Sequence, residues 1–119
     1  MILVDTSVWV DHLRNSNARL VELLNEEQVL IHPFIIGELS LGTIKNKAEI
    51  MSLLSELPLV PVAGHDEVMA AVNVHHLSAT GIGWVDAHLI ASALLAQAKL
   101  LTNDKALLQV SLTIGLETS

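Results

Sequence analysis

The chain has no cysteine among its 119 residues. It therefore builds no disulfide framework, uses no thiolate chemistry and needs no oxidising compartment. Charge is scarce as well: 16% of residues are charged against 51% apolar, a core-rich balance for so short a chain. That excess implies either thorough internal burial or a sizeable apolar surface kept for a partner. Basic residues are scarcest, 6 against 13 acidic, for a net charge of −7. Nucleic-acid binding driven by phosphate contacts favours a basic protein. Here it would require cations to neutralise some acids and a few well-placed Arg and Lys. No apolar run approaches the ~18 residues of a membrane span, so no membrane partner is expected. The amino terminus enters a strand at once, without a basic leader or cleavable segment, which makes the cytoplasm the expected location. Repeats, linkers and low-complexity stretches are also missing, and the length suits a single domain over residues 1–119.

What is present begins with Ile2-Leu3-Val4-Asp5-Thr6-Ser7-Val8-Trp9. A short apolar run stops at a carboxylate, two hydroxyl residues follow, and a new apolar pattern starts. This reads as a buried strand with an acid at its carboxyl end and a helix opened by Thr6 or Ser7 as N-cap. In open parallel α/β sheets, ligand chemistry gathers outside the carboxyl ends of the strands.

Further along, helices are expected from Ser7 to Leu13 and from Ala18 to Leu24, and a strand over Val29-Leu30-Ile31. Pro33 suits the first position of a helix reaching about Leu41, with Gly42 as its stop. Lys47 to Leu57 forms another helix, and Leu59 to Val62 a short extended piece. A fifth helix starts near His65 or Asp66 and runs through Leu77. Trp84 to Ala98 is apolar almost all round, hence buried. Lys99 to Thr102 reads as a strand, Asp104 to Val110 as a helix, and Leu112 to Leu116 as a last strand. The alternation predicts an α/β fold with a parallel sheet covered on both faces.

Four acids stand in apolar company. Asp5 and Asp104 follow strands. Glu38 falls inside the apolar arc of its helix at about 100° per residue. Asp86 lies in the first turn of the buried helix, aligned with Ile90, Ala93 and Gln97. Each has a plain structural alternative: Asp86 and Asp104 as helix-start residues, Asp5 as a turn closer, and Glu38 in a salt bridge to Lys45 or Arg14. If the four converge, two charges ~4 Å apart repel by about 4 kcal/mol at an effective dielectric of 20. They cannot all stay ionised without compensation. With so few basic residues, divalent cations are the natural compensation, and oxygen-only ligands select magnesium or manganese. Such a site suits phosphodiester hydrolysis. The six histidines read as surface or satisfied core residues, and Gly81-x-Gly83 lacks the third glycine and preceding strand of a nucleotide fingerprint.

Taken together, Leu3-Val4-Asp5-Thr6-Ser7-Val8-Trp9, the Glu38-Leu39 segment, Trp84-Val85-Asp86-Ala87-His88-Leu89-Ile90-Ala91-Ser92-Ala93 and Leu101-Thr102-Asn103-Asp104 resemble, in order, a PIN-domain ribonuclease. Specifically, the chain resembles the VapC toxins of bacterial and archaeal toxin–antitoxin pairs. The resemblance implies a three-layer α/β/α sandwich around a parallel sheet of four or five strands. It implies magnesium- or manganese-dependent cleavage of RNA by an acidic pocket of Asp5, Glu38, Asp86 and Asp104. Asp5 and Asp86 are the implied metal ligands, with Glu38 and Asp104 completing the set and Thr6, Ser7 or Thr102 orienting carboxylates. A homodimer and a cognate VapB-like antitoxin are implied partners. Arg14 and Lys105, near these elements, are candidates for RNA phosphate contacts. A competing class is a catalytically inactive PIN-like module that binds RNA or protein without cutting. A phosphatase of the haloacid dehalogenase type would want an acid two residues after Asp5, where Ser7 stands.

Overall fold

A computed structural model describes residues 1–119. Its centre is a parallel sheet of three short strands, β1 (Ile2–Val4), β2 (Val29–Leu30) and β3 (Lys99–Leu101), in the order β2-β1-β3. Leu3 lies opposite Leu30 on one side and Leu100 on the other. All of β1 is buried, as expected of a central parallel strand reading as one apolar run. One isolated parallel bridge extends each edge, Ile31 with Leu59 beyond β2 and Leu100 with Thr118 beyond β3. The three-stranded ladder thus has five strand positions in all.

Seven helices surround it: α1 (Thr6–Asn15), α2 (Ala18–Asn25), α3 (Pro33–Ser40), α4 (Lys47–Ser55), α5 (His65–Val74), α6 (Trp84–Ala96) and α7 (Lys105–Thr113). From β1 the chain steps outward through β2 to Leu59, then returns across the sheet to β3 and continues to Thr118. Right-handed crossovers place the helices of the outward path on one face and those of the return path on the other. The packing agrees, with α1 against α2 and α3, α3 against α4, and α5 against α6. The α/β/α architecture follows.

Several boundaries differ from the sequence expectation, each for a local reason. The N-cap of α1 is Asp5, so Thr6 and Ser7 are already helical and their hydroxyls are free to bond elsewhere. Helix α5 ends at Val74 because His76 adopts a left-handed φ of 55°. Leu112 to Leu116 is not a strand. Its first two residues complete α7, where Leu107, Val110 and Ser111 are buried at helical spacing, and Gly115 turns the chain at φ 79°. The edge position is taken instead by the last residues, through Leu100 N–H to Glu117 O at 2.9 Å and Ser119 N–H to Leu100 O at 3.0 Å. The expected burial of α6 holds in its middle, where every residue from Ala87 to Ala93 is buried, but not at its ends, where Trp84 and Leu95 are exposed.

Candidate active site

Two of the four acids are delivered by neighbouring strands. The β1–β3 ladder runs one bond beyond its last pair, Asp5 N–H donating to Leu101 O at 2.9 Å. The Asp5 and Thr102 side chains therefore emerge side by side at the carboxyl edge of the sheet. Both are buried. Asp5 Oδ2 accepts hydrogen bonds from Ser7 Oγ at 2.7 Å and from Thr102 Oγ1. Each hydroxyl in turn accepts from a backbone amide, Ser7 Oγ from Asn103 N–H at 2.9 Å and Thr102 Oγ1 from Asp104 N–H at 3.0 Å. The carboxylate is thus oriented through one oxygen, with none of these bonds on Oδ1.

Asp104 caps α7, its Oδ1 accepting from Leu107 N–H at 2.9 Å. Asp86, in the first turn of α6, accepts from Gly83 N–H at 3.2 Å. Both helix-start readings of these acids are realised, and neither takes them away from Asp5. The Asp86 carboxyl is pushed above the ordinary range chiefly by burial. The Gly83 bond opposes that shift, and repulsion from Asp5, Asp104 and Glu38, in that order, adds to it. One carboxyl feeling the other three is the electrostatic signature of a shared acidic pocket.

Glu38 completes the group from α3, but not from a core-facing position. It is exposed at the rim, where Thr6 Oγ1 donates to its Oε1 at 2.7 Å. The apolar-arc expectation fails because α3 has apolar residues on most sides, so angular position alone does not identify its buried face. No salt bridge to Arg14 or Lys45 forms; the one ion pair of the chain joins Arg19 and Glu22 on α2. Arg14, Lys45 and Glu38 instead line one cleft of about 440 Å³ between α1 and the α3–α4 turn. Lys105 is exposed at the start of α7, next to Asp104. A larger hollow of about 690 Å³ lies by Val29, where β2 starts; none of these acids lines it, and Glu27 and Glu56 are its only charged groups.

Sequence reading missed the Gly83 amide. The Gly83-x-x-Asp86 spacing, which has an acid three residues after the cap, was the available signal. Of the six histidines, expected at the surface or satisfied in the core, His32 and His88 are core residues that are not fully satisfied: each keeps an unpartnered ring nitrogen, Nε2 and Nδ1 respectively. His32 caps α3 by accepting from Phe34 N–H on Nδ1 at 3.0 Å. Burial, helped by His88, lowers its pKa to about 4. Burial and then His65 lower that of His88.

The donor set fits a hard divalent cation in chemistry: oxygen only, one Asp5 oxygen free of these hydrogen bonds, and accumulated negative charge with no basic partner. The acids do not enclose an ion unaided, since no three of them form a ready ligand cluster. Magnesium does not require one, because it commonly keeps several waters and takes one or two carboxylates together with substrate phosphates.

The site and fold define a class. The PIN domain profile matches residues 2–112. Two solved structures share the fold. FitAcB from Neisseria gonorrhoeae has a TM-score of 0.65 at 21% identity, covering 99% of this chain and 96% of that one. PAE2754 from Pyrobaculum aerophilum has a TM-score of 0.63 at 19% identity, covering 92% and 78%. Ribonuclease VapC32, from two strains of Mycobacterium tuberculosis, is 50% identical over 108 residues, or 90% of this chain and 87% of that protein. The chain belongs to the PIN-domain family and, within it, to the VapC ribonucleases.

Proposed function

We propose that this protein is the endoribonuclease toxin of a VapBC-type toxin–antitoxin pair, and that it hydrolyses RNA phosphodiester bonds with Mg2+ or Mn2+. What supports the reading is the grouping of acids borne on separate elements: the Asp86 carboxyl is repelled by Asp5, Asp104 and Glu38, and Asp5 is held at the sheet edge by Ser7 and Thr102. Asp5 and Asp86 would hold the cation, and Glu38 and Asp104 would complete its surroundings. When bound, the cation supplies Lewis acidity and makes a water nucleophilic at neutral pH.

The chain's own residues supply orientation. Ser7 and Thr102 fix Asp5 Oδ2 and leave Oδ1 free of these bonds. Thr6 steers Glu38, and the Gly83 amide holds Asp86. Water attacks phosphorus in line with the departing oxygen. Arg14 and Lys105, both free of ion pairs, contact flanking phosphates. A VapB-like antitoxin blocks the pocket, and the working protein is a homodimer in the cytoplasm. No helix is long and apolar enough to cross a membrane.

The test is cleavage of total RNA with magnesium, with chelator, and with Asp5→Asn. Cleavage should vanish in both of the latter. Wild-type rates from Asp5→Asn would overturn the proposal. RNA binding without cleavage by the intact protein would favour the inactive-module reading.

A further inference from the structure

Two large rings stand exposed beside the acidic pocket. The chain has only three side chains of the Phe, Trp and Tyr type: Phe34, Trp84 and Trp9. Trp9 is buried, whereas Trp84 is 45% and Phe34 38% exposed. Each exposed ring lies within one helical turn of a pocket acid. Trp84 opens α6 two residues before Asp86, and Phe34 precedes Glu38 by four residues on α3, a spacing that shares one helix face.

The rings form one assembly. His88 lies between them, 4.6 Å from Phe34 and 4.7 Å from Trp84 by ring centroids. His32 stands 4.9 Å from Phe34, and His65 5.6 Å from Trp84. Buried His32 and His88 support the exposed pair, and every ring contact is edge-on or tilted, so no parallel partner covers the indole. This is a supported, partly exposed aromatic surface whose two rings stand two and four residues from Asp86 and Glu38 on the helices that carry those acids.

The occupant follows from chemistry and charge. At a net charge of −7 with 6 basic residues, the chain has little to offer phosphates, the usual source of nucleic-acid affinity. With so few cations to meet phosphates, contacts to bases would add affinity that Arg14, Lys105 and a bound cation cannot supply alone. Single-stranded RNA is recognised by stacking splayed bases on aromatic side chains.

We propose that Trp84 and Phe34 form a stacking platform for an unpaired nucleobase next to the scissile phosphate. The proposal rests on the ribonuclease reading. The platform sets which nucleotide neighbours the cut, and it binds substrate without touching the reacting atoms.

The experiment compares cleavage of one RNA oligonucleotide, and of copies abasic at single positions flanking the cut, by wild type, Trp84→Ala, Trp84→Phe and Phe34→Leu. Trp84→Ala should raise KM on the order of 10-fold or more, with kcat little changed, and Trp84→Phe should recover most of it. One abasic position should impose the same loss on wild type and none on Trp84→Ala. A parallel titration follows fluorescence of a Trp9→Phe protein in EDTA, where a stacked base quenches Trp84 without any cleavage. Unchanged KM and no abasic penalty would overturn the platform while leaving the ribonuclease reading intact. Absence of cleavage by wild type would strike that reading, and the quenching titration would then decide the platform by itself. A dimer that dissociates on Trp84→Ala in sedimentation, with no abasic penalty, would assign the surface to a second copy and overturn the proposal.

Discussion

Acid should destabilise this fold through His32. The ring is fully buried, its Nδ1 caps α3 and its Nε2 has no partner. The folded state therefore keeps it neutral down to about pH 4, against 6.5 for an ordinary imidazole. Between those values the unfolded chain takes up the proton and the folded one does not, so falling pH favours unfolding. The contribution is complete above 6.5, declines as pH drops, and levels off below about 4. Each unit is worth about 1.4 kcal/mol. Going from 6.5 to 5 thus costs up to about 2 kcal/mol, and about 1 once solvent screening is allowed for. Urea melts of wild type and His32→Asn at pH 7 and pH 5 measure it, because asparagine keeps a capping acceptor and does not titrate. The variant loses packing and is weaker at pH 7. Its further drop on acidification should nonetheless be smaller than that of wild type by about 1–2 kcal/mol. His88 and Asp86 titrate in both proteins and cancel in the difference. Equal drops would refute the reasoning.

Asp86→Asn should raise the melting temperature of the metal-free protein at pH 7, because it removes a repelled charge while keeping an acceptor for Gly83 N–H. The gain should shrink as pH falls through the raised Asp86 pKa, where wild type takes up its own neutralising proton; calorimetry over a series of pH values descending from 7 into the acid range reads this, and a gain constant across the whole series would contradict it. Thr102→Val removes a donor to Asp5 and the acceptor of Asp104 N–H. A loss of about 1–3 kcal/mol is expected by chemical denaturation, and an unchanged midpoint would show that the two bonds carry no weight.

Much of the local geometry of the candidate site was legible because its strand-borne half announces itself. An apolar run ending in Asp5 and a second ending in Thr102 mark two carboxyl ends of one sheet. The hydroxyls beside them were visible as candidate orienting groups, and the structure puts those of Ser7 and Thr102 on Asp5 and that of Thr6 on Glu38. Glu38 was found by an argument that does not hold, since it is a rim residue steered by a hydroxyl 32 positions earlier. Long-range pairs of that kind leave no periodic trace. The last edge of the sheet was illegible for a related reason. Glu117 to Ser119 are held by backbone bonds and carry no apolar alternation, whereas Leu112 to Leu116 imitate a strand while finishing a helix and its turn. His32 showed its position after a strand but not its depth, which depends on α6 lying over it.

The hydroxyl network around Asp5 has a consequence for how this family can diversify. Asp5, Ser7, Thr102 and the amides of Asn103 and Asp104 form one closed unit, tied to two strands of the core. On the proposed function, a substitution there would disturb folding and chemistry together, so drift in that half would be suppressed on both counts. Glu38 and Asp86 hang from helix ends by one bond each, on the helices that also carry the exposed rings of Phe34 and Trp84. New RNA preferences can therefore arise by changes along α3 and α6 while the strand half stays as it is, and directed evolution of altered cleavage should concentrate its mutations on those two helices.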